Sequence, residues 1–167
     1  MTSLTVLATG PLATVQDHGR PGYADLGVPG SGGADRGALA LANRLVGNAE
    51  WAAVVETTMG GFRARVDADV LVAVTGADTV VRHNGVPAGL AAALVLRAGD
   101  ELALDTPGWG LRNYIAVRGG IDVEPVLGSR STDTLSGLGP PPLRTDDRLP
   151  VGHAAGDWPT ALSAPAD

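Results

Sequence analysis

The stretch from Thr14 to Asn48, TVQDHGRPGYADLGVPGSGGADRGALALANRLVGN, decides the fold class of this chain. Glycines recur among charged and amide side chains before the pattern turns helical. A glycine-rich loop running into a helix is the layout of a phosphate site, because N–H groups at the helix start face the anion. A dinucleotide site also needs a strand directly before its glycines inside a βαβ unit, and GYADLGVP is a poor strand. A Walker A loop needs a lysine, and all 12 basic residues here are arginine. The stretch therefore reads as an ordered loop entering one helix. Asp35 caps that helix, Leu39, Ala42, Leu45 and Val46 share its buried face, and Gly47 stops it. Asn48 is placed to cap one further turn, Ala49 to Ala53.

Downstream the pattern is β. VVETTMGG and FRARVD read as two strands, the second alternating through Phe62, Ala64 and Val66. DVLVAVTG is a continuous apolar run, as in a strand covered on both faces. Asn84-Gly85 is a strong hairpin signal, because both turn positions need positive φ. AALVLRAGDELAL reads as two strands around Gly99-Asp100. GLRNYIAVRGG alternates, with Leu111, Asn113, Ile115 and Val117 on one side and Arg112, Tyr114, Ala116 and Arg118 on the other. RLPVG is a candidate short returning strand. Many short strands with one good helix predict a mainly β fold, a closed or nearly closed β-barrel with one short helix. One β domain is expected over residues 1–152, with 153–167 as a linker or tail.

A chain of 167 residues is long enough for one domain with a real core. The net charge of −6 argues against a nucleic-acid partner. No long uncharged apolar run points to a membrane span, and the N-terminus has no basic leader, so a cytoplasmic location is the expectation. With no cysteine there is no disulfide framework or thiolate chemistry. Without lysine, any cationic group in a site must be an arginine fork, suited to carboxylate or phosphate.

Several polar groupings stand out. Gln16, Asp17 and Arg20 put an amide, a carboxylate and a guanidinium within one short loop, as a binding group or as an internal brace. Ser129, Ser131 and Thr132 surround Arg130, either as an anion cradle or as a loop satisfying its own backbone. Ser31 reads as a turn residue, since its surroundings lack the nucleophile-elbow pattern. Glu56 lies inside an apolar strand, where a carboxylate needs a partner. His18, His83 and His153 have no ligand spacing, so no metal is expected.

Two long motifs carry a resemblance. Residues 14–48 followed by VVETTMGG, and later RNYIAVRGGIDVEPVLGSRSTDT, resemble the bacterial allophanate hydrolase subunit 2 family, which includes the 5-oxoprolinase subunit designated C. That family is similar to part of the carboxyltransferase domain of urea carboxylase and urea amidolyase. LRTDDRLPVG resembles its closing segment, with Asp146 in place of glycine. Gly33-Ala34-Asp35 departs from the usual Gly-Ala-Met-Asp wording but keeps the aspartate. The resemblance implies a cyclophilin-like β-barrel and members nearly twice this length, so a site formed between two halves would be incomplete here.

It also implies chemistry on an amide, lactam or urea-type substrate, with ATP-dependent opening of 5-oxoproline to glutamate favoured. Carboxyl transfer from carboxybiotin to urea, or non-catalytic antagonism of a histidine-kinase inhibitor, are the alternatives. ATP would be used at the level of the complex, biotin would be carried on another chain, and a subunit 1-type protein would be the partner. The expected substrate-binding residues are Arg112, Tyr114, Arg130, Ser131, Thr132, Gln16, Asp17 and Arg20, with no catalytic residue assigned. In this reading the arginines hold an anion, Tyr114 and Thr132 orient it, and Asp17 fixes Arg20. Asp35, Asn43 and Asn48 are expected to be structural.

Overall fold

The computed structural model describes residues 2–154, Pro159, Ser163 and Ala164. Its strands form two antiparallel sheets. The first contains β1 (Ser3–Thr9), β4 (Phe62–Val66), β6 (Val81–His83), β7 (Val86–Ala88), β9 (Glu101–Leu104) and β11 (Arg148–Pro150), in the order β11-β1-β4-β9-β6-β7. The second contains β2 (Leu12–Gln16), β3 (Val54–Thr58), β5 (Val70–Asp78), β8 (Ala93–Leu96) and β10 (Trp109–Val117), in the order β2-β3-β10-β5-β8. A single α-helix, α1 (Arg36–Leu45), accompanies them among the described residues, with a short 3-10 turn at Ala24–Leu26. The mainly β class with one short helix is the expected one. The barrel is not closed by hydrogen bonds, since its strands divide between two sheets with separate edges among the described residues.

Two apolar clusters account for the patterning. Leu4, Val6, Phe62, Ala64, Leu102 and Leu104 of the first sheet meet Val15, Val55, Val72, Val74, Ile115 and Val117 of the second. On the outer face of the second sheet, Leu39, Ala42, Leu45 and Val46 pack on Val54, Leu71, Ala73, Tyr114 and Ala116. The continuous apolar run of β5 and the buried second side of β10 share one cause: helix α1 covers the face that the first sheet leaves open. Burying each large aliphatic side chain contributes about 1.5–3 kcal/mol.

The helix forms as its sequence indicates. Asp35 is extended at the N-cap and its side chain accepts from the Ala38 N–H, while Gly47 takes positive φ after the last turn. Asn48 acts as a loop brace, donating to the Asn43 side chain and to the Val117 carbonyl and accepting from the Gly119 N–H. The stretch 49–53 holds one turn, closed by the Ala52 N–H to the Ala49 carbonyl at 2.9 Å, and no further helix. Asn84-Gly85 closes the β6–β7 hairpin with both φ values positive. RLPVG does return, as β11 beside β1.

Sheet membership is where local patterning is silent. Every connection except β2 to β3 and β6 to β7 passes from one sheet to the other. VVETTMGG and FRARVD are adjacent in sequence yet end in different sheets, as do the two strands around Gly99-Asp100. The corner after β3 runs through Met59, Gly60 and Gly61, all at positive φ. A Cβ on Gly60 would stand 2.1 Å from the Asp105 carbonyl oxygen. Most of 153–167, the expected tail, lies outside the described residues, although Ser163 bridges to Ala92 and the Ala164 N–H donates to the Ala91 carbonyl. No helix among the described residues is long and apolar enough to cross a membrane.

Gly60→Ala adds a backbone collision to an unfavourable φ, whereas Gly85→Ala meets open space and carries the φ cost alone. The expected loss is about 1–2 kcal/mol for Gly85→Ala and at least twice that for Gly60→Ala, read from urea unfolding midpoints. Equal losses would mean that the sheet-to-sheet corner relaxes freely.

Candidate functional site

The Gly-rich loop is anchored by Asp17, a buried carboxylate at the end of β2. Its Oδ1 accepts from the Gly19 N–H (2.7 Å), the Ser129 hydroxyl (2.7 Å) and the Ser131 hydroxyl (2.6 Å), and its Oδ2 from the Arg130 N–H (2.7 Å). The cradle of hydroxyls around Arg130 thus receives an anion belonging to the chain itself. Charge-assisted bonds of this kind contribute about 1.5–3 kcal/mol each. Arg20, 1% exposed, lies beyond it. It donates to the Val126 carbonyl (3.3 Å), the Ser31 hydroxyl (2.8 Å) and the Ser131 carbonyl (2.6 Å). Asp17 and Arg20 therefore brace each other through Ser131, which offers its hydroxyl to one and its carbonyl to the other.

Ser31 also donates to Asp133 at 3.0 Å. Burial opposes ionisation of Asp133, but N–H groups of Ser136 and Leu135 together with the Ser136 and Ser31 hydroxyls outweigh it and hold its pKa down at about 2. Gln16 reaches from β2 to the Thr132 carbonyl at 3.1 Å, and its own Oε1 and the Thr132 hydroxyl are buried without a partner.

From Ser31 the chain is fastened almost residue by residue toward the helix. Gly33 N–H donates to the Asp17 carbonyl (2.9 Å), Ala34 N–H to Glu56 Oε2 (2.9 Å) and Asp35 N–H to the Tyr114 hydroxyl (2.7 Å). Glu56 is buried on β3, and its Oε1 accepts from Arg112 Nη1 in a short contact. Cross-strand register sets Thr58 opposite Arg112 and Glu56 opposite Tyr114. Burial, with the Glu56 carboxylate alongside, pushes the Tyr114 phenol well above its ordinary range, so it stays protonated.

Arg112 is one-third exposed and lines a groove of about 1030 Å³. The groove lies between the start of α1 at Asp35 and Ala38, Thr75 of β5, and the protruding Trp109–Leu111 end of β10. Trp109 is 82% exposed there. Gly110 at positive φ sits in the register shift that lets this end leave the β5 ladder.

The eight residues expected from sequence thus fall into two groups. Gln16, Asp17, Arg20, Ser131 and Thr132 are buried together where the loop 129–133 meets the end of β2. Arg130 joins them only through its backbone, while its guanidinium donates outward to the Val123 carbonyl and Asp122. Arg112 and Tyr114 form the second group, with Glu56 and the helix start. Glu56 lay outside the expected set, although a carboxylate in an apolar strand was the signal for it. Asp133 and the exposed Trp109 carried no local signal. No group of three potential metal ligands exists among the described residues.

Asp17→Asn and Arg20→Met are each expected to lower stability by about 3 kcal/mol. Their combined effect should fall short of the sum by about 1 kcal/mol, measured as a denaturant double-mutant cycle; strict additivity would deny the link through Ser131. Asp133, with its folded pKa depressed below the ordinary carboxylate value of about 3.9, stabilises the fold fully above that value. The contribution is lost as pH falls toward about 2. The stability gap between wild type and Asp133→Asn should accordingly shrink between pH ~5 and pH ~3, and a constant gap in urea titrations would contradict this.

Comparison with known proteins fits this architecture. The carboxyltransferase domain model, subdomains A and B, matches residues 26–167. The 5-oxoprolinase subunit designated C in Escherichia coli K12 is 40% identical over 157 residues, which are 92% of this chain and 51% of that protein. Urea amidolyase of Lachancea kluyveri is 39% identical over 135 residues, 80% of this chain and 7% of that one. The crystal structure of K. lactis urea amidolyase superimposes with a TM-score of 0.87 at 32% identity, covering 98% of this chain and 10% of that chain. The chain spans about half the length of the Escherichia coli 5-oxoprolinase subunit that it matches. It belongs to the carboxyltransferase subdomain A and B family, together with that 5-oxoprolinase subunit and urea amidolyase.

Proposed function

We propose that this chain serves in a 5-oxoprolinase-type complex, in which ATP-dependent opening of the 5-oxoproline lactam yields glutamate. The observation that carries this reading is its 40% identity to the Escherichia coli 5-oxoprolinase subunit across 92% of the chain. A subunit 1-type protein is the proposed partner, and ATP is handled at the level of the complex. The lactam and its product both present a carboxylate and an amide or carboxyl oxygen, the groups an arginine fork recognises. Arg112 is the residue assigned to that contact, because it combines a fixed guanidinium with a place on the groove. Tyr114 supports the helix start from beneath, and the Asp17 group holds the loop that leads there.

Carboxyl transfer from carboxybiotin to urea is the second reading, favoured by the family model and by the urea amidolyase relatives. Biotin would then arrive on a segment other than these 167 residues, which contain no lysine to carry it. Both readings place a planar amide-type substrate near Arg112 and differ in the reaction of that amide.

Co-expression of the chain with its neighbouring subunits, followed by parallel assays of glutamate release from 5-oxoproline and of urea carboxylation, tests the assignment. ATP-dependent glutamate release is the expected result. Carboxylation of urea with 5-oxoproline untouched would transfer the assignment to the second reading. In the active complex Arg112→Ala should lower kcat/KM at least about tenfold, the loss of one charged hydrogen bond, and Arg130→Ala should lower it less.

A further inference from the structure

We infer that Glu56 is a positioning residue, which orients Arg112 toward the groove with one carboxylate oxygen while the other holds the Ser31–Asp35 segment at Ala34. The inference rests on the reading that Arg112 meets substrate there. Glu56 is 3% exposed and both its oxygens are engaged, so it does not itself reach the groove. One oxygen holds Arg112 Nη1 and the other holds the Ala34 N–H. Arg112 therefore keeps Nε and Nη2 available in a fixed plane for an oxygen ligand.

Stability alone is a poor reason for a carboxylate at this position. A buried ion pair is often no more stabilising than apolar residues of the same volume. Leu39, Val54 and Ala116 form an apolar cluster with Tyr114, the residue opposite Glu56 across the two strands. What the pair provides is geometry. A long arginine at one-third exposure has many rotamers, and a carboxylate on a central strand removes most of them. Because Ala34 shares that carboxylate, and Gly33 is tied to Asp17, the guanidinium is linked to the buried clamp 17–20 and 129–133 through a short chain of hydrogen bonds. Burial and the same carboxylate keep Tyr114 protonated, and the Tyr114 hydroxyl takes the Asp35 N–H at the helix cap.

The test is a kinetic cycle in the assembled complex, with 5-oxoproline as substrate. Glu56→Gln retains the volume and an acceptor for the Ala34 N–H while removing the charge that fixes Arg112. It should raise KM about tenfold in the wild-type background and leave KM unchanged in the Arg112→Ala background, as for two residues acting through one contact. An equal rise in both backgrounds, or none in the wild type, would overturn the inference. Were Arg112→Ala itself to leave KM unaltered, the groove reading would fall instead.

A second readout needs no turnover. The guanidinium N–H resonances of Arg112 should be separately resolved in the wild-type chain, where Glu56 blocks rotation, and averaged in Glu56→Gln. Resonances that stay resolved in Glu56→Gln would overturn the positioning role whatever the kinetics show.

Discussion

The buried carboxylate of Asp17 is the constraint on which the rest depends. Four donors converge on it, two from hydroxyls more than a hundred residues away in sequence. A carboxylate removed from water is costly unless its lone pairs are met, so the loop 129–133 must come to β2 for this residue to be tolerated. Once it does, the Ser131 carbonyl is placed for Arg20, and Arg20 in turn fastens Ser31 and Val126. A polar interior, rather than an apolar one, thus closes the exposed side of β2, with the Thr132 N–H donating to the Val15 carbonyl.

The second sheet is the platform for the candidate site. Its inner face belongs to the core between the sheets and its outer face to the helix, so β10 presents Ile115 and Val117 to one and Tyr114 and Ala116 to the other. Beyond the helix the outer face turns polar, and Glu56, Tyr114 and Arg112 occupy neighbouring register positions. A site built from central strands is stiffer than one built from loops. Gly33, Ala34 and Asp35 then join it through their backbone N–H groups, which suits the stretch 32–34 of glycine and alanine with little side chain to pack.

Much of the local structure was legible because periodicity reports burial. FRARVD alternates in sequence and in exposure, and the unbroken apolar run of DVLVAVTG belongs to a strand covered twice. The cap at Asp35 and the hairpin at Asn84-Gly85 follow from chemistry within a few residues. The candidate site was half legible. Arg112 and Tyr114 could be singled out as polar residues on one side of a strand. The division of the other six residues into a buried clamp could not, since an arginine that binds a ligand and one that binds three carbonyl or hydroxyl oxygens look alike in sequence.

By itself the sequence determined the element types, the caps and turns, the absence of lysine and cysteine chemistry, and the family motifs. These depend on residue identity and short spacing. The tertiary structure alone decided which sheet each strand joins, which anion the serines receive, and which partner Glu56 takes. Those outcomes depend on the approach of segments far apart in the chain, such as Gly60 against Asp105 and Ser131 against Asp17. No local pattern records that approach, because the free energy that selects it arises only when both segments have left water together.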